Sequence, residues 1–562
     1  MSPSKGKPLA HECGLTRSIH ALSILLGMTA LWFSRFSRCD QFGLYEDDIY
    51  RVGWSFDAPV TSVLEHFTRN LTLEGQGRPL HEIFIFDLSW LAAKIGDLST
   101  VYVVGYLAVC LNIVLFSFLL KRLYPDPLFV TLGTLCYALY PTDTSQAFLT
   151  HSLGLQPSLT MLLLGVHAFL SHRYWLAYPL AVIGCVLCYE PVFPLFLAVP
   201  LLRTEFSKRQ WSGHFLLCLT PALAIFAYRH QLGSSRLAEL PDNPILSSAW
   251  NLSVGPLVNL KTLVTRPLGL LPELERFEIP GLLGWALLFS LVVRFVQRSS
   301  ARTQVPVPPP RITHFAVAAL FLAYPIMLAV DAQAVHGRNS RVHFAAIVGA
   351  VLTQTLVLNW LIQKMRNEGK PIFCGVLGCY FALLLGFGWQ VQSDYINEQA
   401  LQKRTWSEVF RLAPDYEIGD LLLIEGLDTV RYHGSDPPHI GGLAWAMTIV
   451  PDVLLLKKPG ESGHVLSVEG FESHLEVDWE NFDVFCKAQT YRFEKGVRRP
   501  ADHLILLRKT PSGWTRLDSL TIGGKQLAVK PKPKSWSQPN FREGILLNLY
   551  VSSSLHSSAP RR

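Results

Sequence analysis

Long apolar blocks, rather than alternating apolar and polar positions, organise the chain up to about residue 390. A helix needs about 20 apolar residues to cross the hydrocarbon core of a bilayer, and the blocks approach or reach that length. The pattern therefore predicts an α-helical polytopic membrane protein with about eleven transmembrane helices. The predicted spans are residues 19–36, 101–120, 127–141, 154–170, 174–189, 191–203, 212–228, 281–297, 313–331, 343–362 and 371–390.

Basic residues at the edges of these blocks predict the orientation. Clusters precede the first span and follow the second, fourth, sixth, eighth and tenth, so an eleven-span count puts them all on one side. The positive-inside rule assigns that side to the cytoplasm. The outer face then contains residues 37–100, 229–280, 331–342 and everything after 391. Within the first of these loops, residues 81–98 predict a helix lying in the membrane interface.

Composition agrees with a membrane protein. The chain is 49% hydrophobic and 17% charged, whereas a soluble chain carries about 25% charged residues. Its 50 basic and 43 acidic residues give a net charge of +7. Because the basic residues lie at the edges of apolar blocks, they suit membrane topology better than a nucleic-acid surface. We therefore expect membrane lipids as partners and no nucleic acid.

The composition becomes that of a soluble protein after residue 391. A polar helix over 394–412 precedes short strand-like runs, and Thr510-Pro-Ser-Gly513 is typical of a hairpin turn. The chain thus divides into a transmembrane domain, residues 1–390, and a small extracytoplasmic α+β domain, residues 391–562. A Lys-, Pro- and Ser-rich tail from about 530 predicts no regular structure. The predicted strands are Leu421–Ile424, Val453–Leu456, His464–Val468, Val484–Cys486 and His503–Leu507.

Three adjacent carboxylates follow the first predicted span, at Glu46, Asp47 and Asp48. Neighbouring carboxylates near a low-dielectric boundary repel one another, which raises the pKa of at least one of them. Such a group suits a general base for a hydroxyl or amine acceptor. A solvated acidic loop and a metal-binding loop are the alternatives.

Cations occur at two further outer positions. Arg78 follows two glycines at the start of the predicted interfacial helix, where it can bind phosphate or extend to lipid headgroups. His336, Arg338 and Arg341 lie in a short outer loop, where the positive-inside rule disfavours basic clusters. An anion at this face, or a salt bridge to the first loop, accounts for the exception.

Glu190 lies between two short predicted spans, 174–189 and 191–203. A carboxylate at membrane depth is costly and is therefore a functional candidate. Substrate contact and pairing with one of the arginines are both open.

These features together resemble a known class of enzyme. A short N-terminus, one span and an acidic outer loop resemble the GT-C class of polytopic glycosyltransferases, which includes protein O-mannosyltransferases, aminoarabinose transferases of lipid A and GtrII-like glucosyltransferases. Gly77-Arg78-Pro79-Leu80 and Tyr189-Glu190 are similar to the GtrII-like version, and Asp48-x-x-Arg51 is similar to the aminoarabinose transferases. The resemblance covers about residues 15–415. Three carboxylates stand where the class needs two.

The resemblance implies a hexosyl- or pentosyltransferase that moves a sugar, with inversion, from a polyprenyl-phosphate donor to a lipid, glycan or protein acceptor. The first outer loop, residues 37–100, would be catalytic. The class needs no cofactor or obligatory metal, although a divalent cation fits among the acids. The implied roles are a general base at Asp47 or Asp48, donor-phosphate binding at Arg51, Arg78, Arg338 and Arg341, and substrate contact at Glu46, Glu190 and His336.

We expect the active site on the outer face of a bacterial inner (plasma) membrane, in cell-envelope glycan biosynthesis. Two other functions remain open. A transporter or flippase for a lipid-linked substrate would have discontinuous helices that meet at the bilayer midplane. A non-catalytic membrane assembly protein would use the C-terminal domain to bind a partner.

Overall fold

The computed structural model describes residues 10–56, 58–73, 77–231, 243–274, 278–303, 308–328, 330–417, 419–426, 464–468, 471–487, 497–531 and 545–551. Helices account for most of them. The α-helices are α1 Ala10–Leu31, α2 Asp47–Arg51, α3 Val60–Leu73, α4 Pro79–Ile95, α5 Leu98–Leu123, α6 Pro127–Ala138, α7 Leu149–Gly154, α8 Gln156–Leu170, α9 Tyr174–Tyr178, α10 Cys185–Tyr189, α11 Pro194–Leu197, α12 Lys208–Gln231, α13 Pro244–Gly269, α14 Glu278–Thr303, α15 Pro310–Leu322, α16 Ile347–Lys364, α17 Gly369–Leu412, α18 Phe471–His474 and α19 Ile545–Tyr550.

The chain forms two compact units. Unit 1 contains residues up to Cys39, Pro59–Ala92 and Ser99–Ser393, and unit 2 contains Asp40–Ala58, Ala93–Leu98 and Asp394 onward. The boundary near residue 393 lies close to the predicted domain boundary. The first predicted loop, by contrast, is divided, because the acidic segment groups with unit 2.

Seven helices within the described part of the chain are long and apolar enough to cross a membrane. An eighth is obtained if Gly337–His343 and α16, which are bent by 68° at their junction, form one span. These helices confirm a multi-pass helical membrane protein. The other predicted spans differ: α6 and α15 are shorter apolar helices, and residues 191–203 form short helical pieces. The seven spans are Arg17–Gln41, Leu98–Leu123, Leu149–Leu170, Tyr174–Val192, Lys208–Tyr228, Glu278–Ala301 and Gly369–Leu412.

Helix α6 forms the centre of unit 1. All twelve of its residues are buried, and it packs against α1, α14 and α16. Its start follows local rules, because Pro127 occupies the first turn and the Asp126 side chain accepts a hydrogen bond from the Phe129 amide at 3.3 Å. A helix buried on every side has no face for lipid, which explains its uniform apolarity.

Helix α13 corrects the prediction of a loop over 229–280. It is 26 residues long, or about 39 Å at 1.5 Å per residue. Its polar side chains Asn251, Asn259 and Thr262 are buried, while Leu257 and Leu268 are exposed. In this helix the polar face points inward. The inward polar residues lower its mean hydropathy and thereby conceal the helix in the sequence.

The first predicted loop also holds a helix that the sequence analysis missed. Helix α3 exposes Val60, Leu64, Phe67 and Leu71, which lie on one face of the helix. An exposed apolar stripe on a short helix is typical of a segment lying in the membrane interface. Helix α4 covers most of the interfacial helix predicted over 81–98 and buries one face within unit 1; its buried residues are Pro79, His81, Ile83, Ile85, Phe86, Ser89 and Ala92.

Unit 2 contains an α+β fold. The strands are β1 Leu421–Glu425, β2 His464–Val468, β3 Leu475–Asp478, β4 Asp483–Cys486, β5 Val497–Pro500, β6 Leu504–Thr510, β7 Gly513–Leu517, β8 Ser519–Ile522 and β9 Lys525–Ala528. They form sheets of order β2-β1-β6-β7, β3-β4-β5 and β8-β9. Strand β1 is parallel to both β2 and β6, with Leu421 opposite His464 and Leu504. Between the sheets lies a core that includes Leu423, Val484 and Leu506.

Most of the predicted strands are present. Four of the five predicted runs coincide with β1, β2, β4 and β6 or overlap them, and Val453–Leu456 lies outside the described residues. The predicted turn joins β6 to β7, where Thr510 pairs with Gly513 at φ +122°. The structure contains one continuous helix, α17, where the sequence predicts two, over 371–390 and 394–412. Neither proline nor glycine interrupts the chain between the two predicted helices.

The predicted tail without regular structure contains helix α19. Its last residue, Tyr550, is fully buried and donates a hydrogen bond to the Leu44 carbonyl at 3.1 Å. The Gln399 amide donates to the Leu549 carbonyl at 2.7 Å. Helix α19 therefore belongs to the packed part of unit 2.

Replacing Tyr550 tests this anchoring. We expect Tyr550→Ala to lower the free energy of unfolding by about 3–5 kcal/mol, because it removes a buried aromatic ring. The measurement is the melting temperature of the purified full chain, with Tyr228→Ala, an exposed tyrosine on α12, as the control. Equal melting temperatures for the two variants would contradict the anchoring.

Candidate functional site

The acidic segment forms a short, strained turn in unit 2. Helix α2 begins at Asp47, and the residue before it, Glu46, has φ +48° and ψ −119°. A residue other than glycine at such dihedral angles costs about 1–3 kcal/mol, and such strain clusters at functional sites. Asp48 is fully buried, Glu46 is nearly so, and Asp47 and Arg51 are half-buried. The three carboxylates therefore occupy different environments.

Two tyrosines surround the acidic turn within unit 2. The Tyr45 hydroxyl accepts from the Gly43 amide and donates to the Tyr395 carbonyl, both at 2.8 Å. Burial, followed by the charge of Asp48, raises the pKa of Tyr550. Burial raises the pKa of Tyr45 as well, with a further contribution from Glu398. Both phenols therefore stay protonated beside the carboxylates.

Arg78 and Glu190 form a buried ion pair in unit 1. The Arg78 Nε donates to Glu190 Oε2 at 2.6 Å, and its Nη2 donates to Oε1. The guanidinium carbon lies 4.8 Å from the ring centroid of Tyr189. Burial is the largest single effect and lowers the pKa of Arg78, but the charge and the hydrogen bonds of Glu190, with smaller contributions from Tyr189 and Cys188, together outweigh it and raise the pKa. The structure thus shows the pairing of Glu190 with an arginine that the sequence left open.

The arginines of the 331–343 segment lie near two histidines. Arg338 and Arg341, on the 3₁₀ helix Gly337–His343, interact electrostatically with His151, as does His81. Gly337 begins that helix at φ +55°, a conformation that favours glycine. Gly154 allows the approach of His81, because a Cβ there would lie 2.4 Å from His81 Cε1. Three helical elements distant in sequence, α4, α7 and the 3₁₀ helix, therefore bring several basic groups together.

Two buried polar atoms of the segment 146–151 have no hydrogen-bond partner among the described residues. They are Nδ1 of His151 and Oε1 of Gln146, in side chains that are 5% and 3% exposed. Buried polar groups in proteins are nearly always hydrogen-bonded. Donors and acceptors of a bound molecule would satisfy them.

A buried polar cluster continues beneath these residues, around Asp143. Its carboxylate accepts hydrogen bonds from the Ser145 amide at 2.9 Å and from the Ser340 hydroxyl at 3.2 Å. Burial raises the pKa of Asp143, and the Ser145 bonds and the nearby Arg35 charge act against that rise. Arg35 lies in a π-helical turn, Trp32–Phe36, of the first span and donates to the Tyr140 carbonyl at 3.3 Å. The interior of unit 1 therefore contains charges.

His336 lies against helix α13. Arg266 Nη2 donates to the Val335 carbonyl at 2.8 Å and lies 3.4 Å from the His336 ring nitrogens. Burial, then the charge of Arg266, lowers the pKa of His336 to about 4. His336 is therefore a neutral imidazole at pH 7.

The predicted site residues thus fall into separate groups. Glu46, Asp47, Asp48 and Arg51 share one short turn of unit 2. In unit 1, Arg78 joins Glu190, Arg338 and Arg341 lie near His151, and His336 joins Arg266. Four further polar residues of unit 1 were not predicted from the sequence; these are Arg35, Asp143, His151 and Arg266. Of these, Arg35 carried a usable signal, since an arginine inside an apolar block is a functional candidate.

Neither a metal-binding cluster among the described residues nor a similar known protein indicates the function. Within the described ranges, no group of three or more His, Cys, Asp or Glu side chains is arranged to hold a metal ion. No protein-family model, curated protein or solved structure matches the chain. The functional interpretation therefore rests on the residues themselves.

Breaking the Arg78–Glu190 pair tests its structural role. We expect Arg78→Gln and Glu190→Gln each to destabilise the protein by about 3–5 kcal/mol, because each leaves a buried charge unpaired. The double variant should be less destabilised than either single variant. Melting temperatures of the purified chains measure both effects, and Arg298→Gln, an exposed cation on α14, serves as the control. Single variants that melt like the control would contradict the pairing.

The titration of His336 tests its environment. We expect its ring to stay neutral from pH 8 down to about pH 5, because burial and a neighbouring cation disfavour the protonated form. Replacing Arg266 with Gln should raise the pKa of His336 without restoring the usual 6.5, since burial is the larger cause. Ring NMR signals of labelled protein report both values. A wild-type pKa at or above 6.5 would refute this description.

Proposed function

We propose that the chain is a membrane glycosyltransferase of the GT-C type. It transfers a sugar from a polyprenyl-phosphate donor to an acceptor at the outer membrane face, with inversion at the anomeric carbon. Asp47 or Asp48 acts as the general base. Arg51, Arg338 and Arg341 act on the donor phosphate, together with Arg78.

The strained acidic turn is the observation that carries the proposal. Glu46 has a positive φ directly before two aspartates, and this conformation lowers the stability of the fold. Packing alone has no need of three adjacent carboxylates there. A general base, in contrast, has to be held at a fixed position relative to the acceptor proton.

The polar groups of unit 1 support a sugar phosphate as the substrate. Arg338 and Arg341 offer the charge that a phosphate needs, and the unpartnered atoms of His151 and Gln146 offer hydrogen bonds to sugar hydroxyls. Arg78 has two of its nitrogens bound to Glu190. Its role is therefore to position Glu190 and to contribute charge, while Glu190, Glu46 and His336 remain the proposed contacts of the substrate.

The proposed chemical step needs only these groups. The aspartate takes the proton from the acceptor hydroxyl, and the acceptor oxygen forms a bond to the anomeric carbon. The bond between that carbon and the phosphate oxygen breaks on the opposite face, and the electron pair leaves with the polyprenyl phosphate. The arginines stabilise the growing phosphate charge, and one such donor is worth about 3–4 kcal/mol.

The proposal includes the topology. Eleven crossings would place the acidic turn, the arginine segment 331–343 and the C-terminal α+β domain on the outer face of a bacterial plasma membrane. Helix α6, with twelve residues, is about 18 Å long, and so it crosses only with its flanking residues. A lipid-linked donor requires this arrangement, because its tail stays in the bilayer while its sugar emerges at the surface.

A transporter of a lipid-linked substrate is the second candidate, and two observations favour it. The 68° bend between Gly337–His343 and α16 and the break at Tyr189 are discontinuities in apolar helices, and transporter sites use such breaks. The buried charges Arg35 and Asp143 also suit a polar site inside a bundle. A transporter does not need the acidic turn as a base.

Replacement of the aspartates separates the two functions. We expect the double variant Asp47→Asn/Asp48→Asn, and the one single variant that removes the base, to lower the rate of sugar transfer by about 10²–10⁴, the contribution of a general base. The measurement is the formation of glycan or lipid product in cells that carry each variant, and from a purified polyprenyl-phosphate sugar.

The matched control is Asp40→Asn, an exposed acid a few residues upstream. Normal product from the double variant would rule out the general base. Transfer that is lost from the double variant but kept by Asp40→Asn would exclude the transporter.

A further inference from the structure

A cavity of about 490 Å³ lies along one side of helix α13. The segment 333–336 forms its other wall. Its lining combines basic and apolar side chains, among them Val254, Val258, Lys261, Arg266, Val335 and His336. All of these residues belong to unit 1. Cavities of this size commonly hold a small molecule or a lipid headgroup.

The cavity carries a positive charge that no carboxylate of the described chain neutralises. Arg266 donates to the Val335 carbonyl, and its guanidinium carbon lies 5.1 Å from the Phe387 centroid, but it forms no ion pair with a described acid. Burial, followed by the like charge of Arg35, lowers the pKa of Arg266 to about 10. Lys261 is exposed and makes no hydrogen bond or ion pair with a described residue.

The fold holds this wall in place. Asn251 Nδ2 donates to the Val330 carbonyl at 3.0 Å, and its Oδ1 accepts from the Ala332 amide at 2.9 Å. The Trp250 indole donates to Asp331 at 3.2 Å, and Ser248 donates to the Pro325 carbonyl at 2.8 Å. Backbone polar groups outside helices and strands need such partners where they are buried. The inward face of α13 therefore fixes the segment that carries Val335 and His336.

The cavity lies at the border between the polar and the apolar sides of α13. Val254, Val258, Lys261 and Thr265 are spaced three or four residues apart, and so they form one stripe. The polar face with Asn251 and Arg266 lies to one side of that stripe. The exposed leucines and valine lie to the other side: Leu257, Val264 and Leu268. A molecule in the cavity can therefore contact charge and lipid at once.

We propose that this cavity binds the phosphate headgroup of a lipid, with the apolar chain lying along Leu257, Val264 and Leu268. The planar guanidinium of Arg266 and the ammonium of Lys261 are both suited to phosphate. A neutral His336 donates a hydrogen bond to it without adding charge. The valines contact the first carbons of the chain. The site shares His336 with the proposed contacts of the substrate, but it goes beyond the proposed function, because it follows from the charges of Lys261 and Arg266 whether or not the chain transfers sugar.

The phosphate can come from two sources, a polyprenyl phosphate or an acidic phospholipid such as phosphatidylglycerol. Native mass spectrometry of the purified full chain tests both. Polyprenyl phosphate, phosphatidylglycerol and uncharged diacylglycerol are each titrated into wild type and variants. We expect retention of at least one phosphate lipid, and none of diacylglycerol.

Three variants and one control make the result specific. Lys261→Gln and Arg266→Gln should each weaken binding about tenfold, the loss expected for one charge-assisted hydrogen bond. Val258→Trp fills the cavity without changing charge and should abolish binding. Because Lys261 makes no hydrogen bond or ion pair with a described residue, we expect Lys261→Gln to fold normally. Its loss of binding therefore tests the site even if Arg266→Gln misfolds. The control, Arg298→Gln on α14, should bind like wild type.

Each outcome decides between the alternatives. If the variants bind less polyprenyl phosphate but as much phosphatidylglycerol as wild type, the cavity is assigned to a lipid carrier. If they bind less of both lipids, the cavity is assigned to acidic phospholipid. Either result supports the site. Equal binding of both phosphate lipids by wild type, Lys261→Gln and Val258→Trp would overturn it. Because Asp47 and Asp48 are unchanged in these variants, failure here leaves the proposed transfer reaction untouched.

Discussion

The need to give every buried charge and backbone group a partner inside the protein governs the helical unit. Lipid supplies neither hydrogen bonds nor counter-charges, so each such group has to be satisfied internally or by a bound molecule. Arg78 meets this need with Glu190, and Asp143 meets it with serine hydroxyls and the charge of Arg35. Arg266 meets it only in part, through a carbonyl. A substrate can bind where a buried charge or polar group lacks a partner inside the protein.

Helix α13 shows how one element serves several of these needs. Its inward Asn251 amide holds the backbone at Met327, Val330 and Ala332, and its outward leucines suit a lipid environment. Between the two faces lies the stripe of Val254, Val258, Lys261 and Thr265 that lines the cavity. A helix organised in this way cannot be exchanged for a uniformly apolar span without releasing the segment that it holds. The position of His336 and the shape of the neighbouring cavity therefore both depend on α13.

The sequence predicted the features that depend on local patterns and failed where distant residues decide. Apolar blocks gave most of the spans, because about 20 apolar residues have no other stable location. The short strands of unit 2 followed from their β-branched and leucine-rich runs. Helix α13 was hidden because its buried side is polar, and α19 because a Lys- and Pro-rich stretch precedes it. Among the site residues, the acidic turn was local and visible. The pairing of Arg78 with Glu190 joins positions 112 residues apart, which no local pattern predicts.

Sidedness tests the account most directly, because a lipid-linked donor offers its sugar phosphate on one face of the membrane only. Single cysteines at Asp40 and Asn339, both exposed positions, are introduced into a chain whose exposed Cys379 is replaced by serine. Intact cells are then treated with a thiol reagent that does not cross membranes. The account predicts that both cysteines are labelled from the outside, whereas labelling of one position from the outside and of the other only after lysis would contradict it.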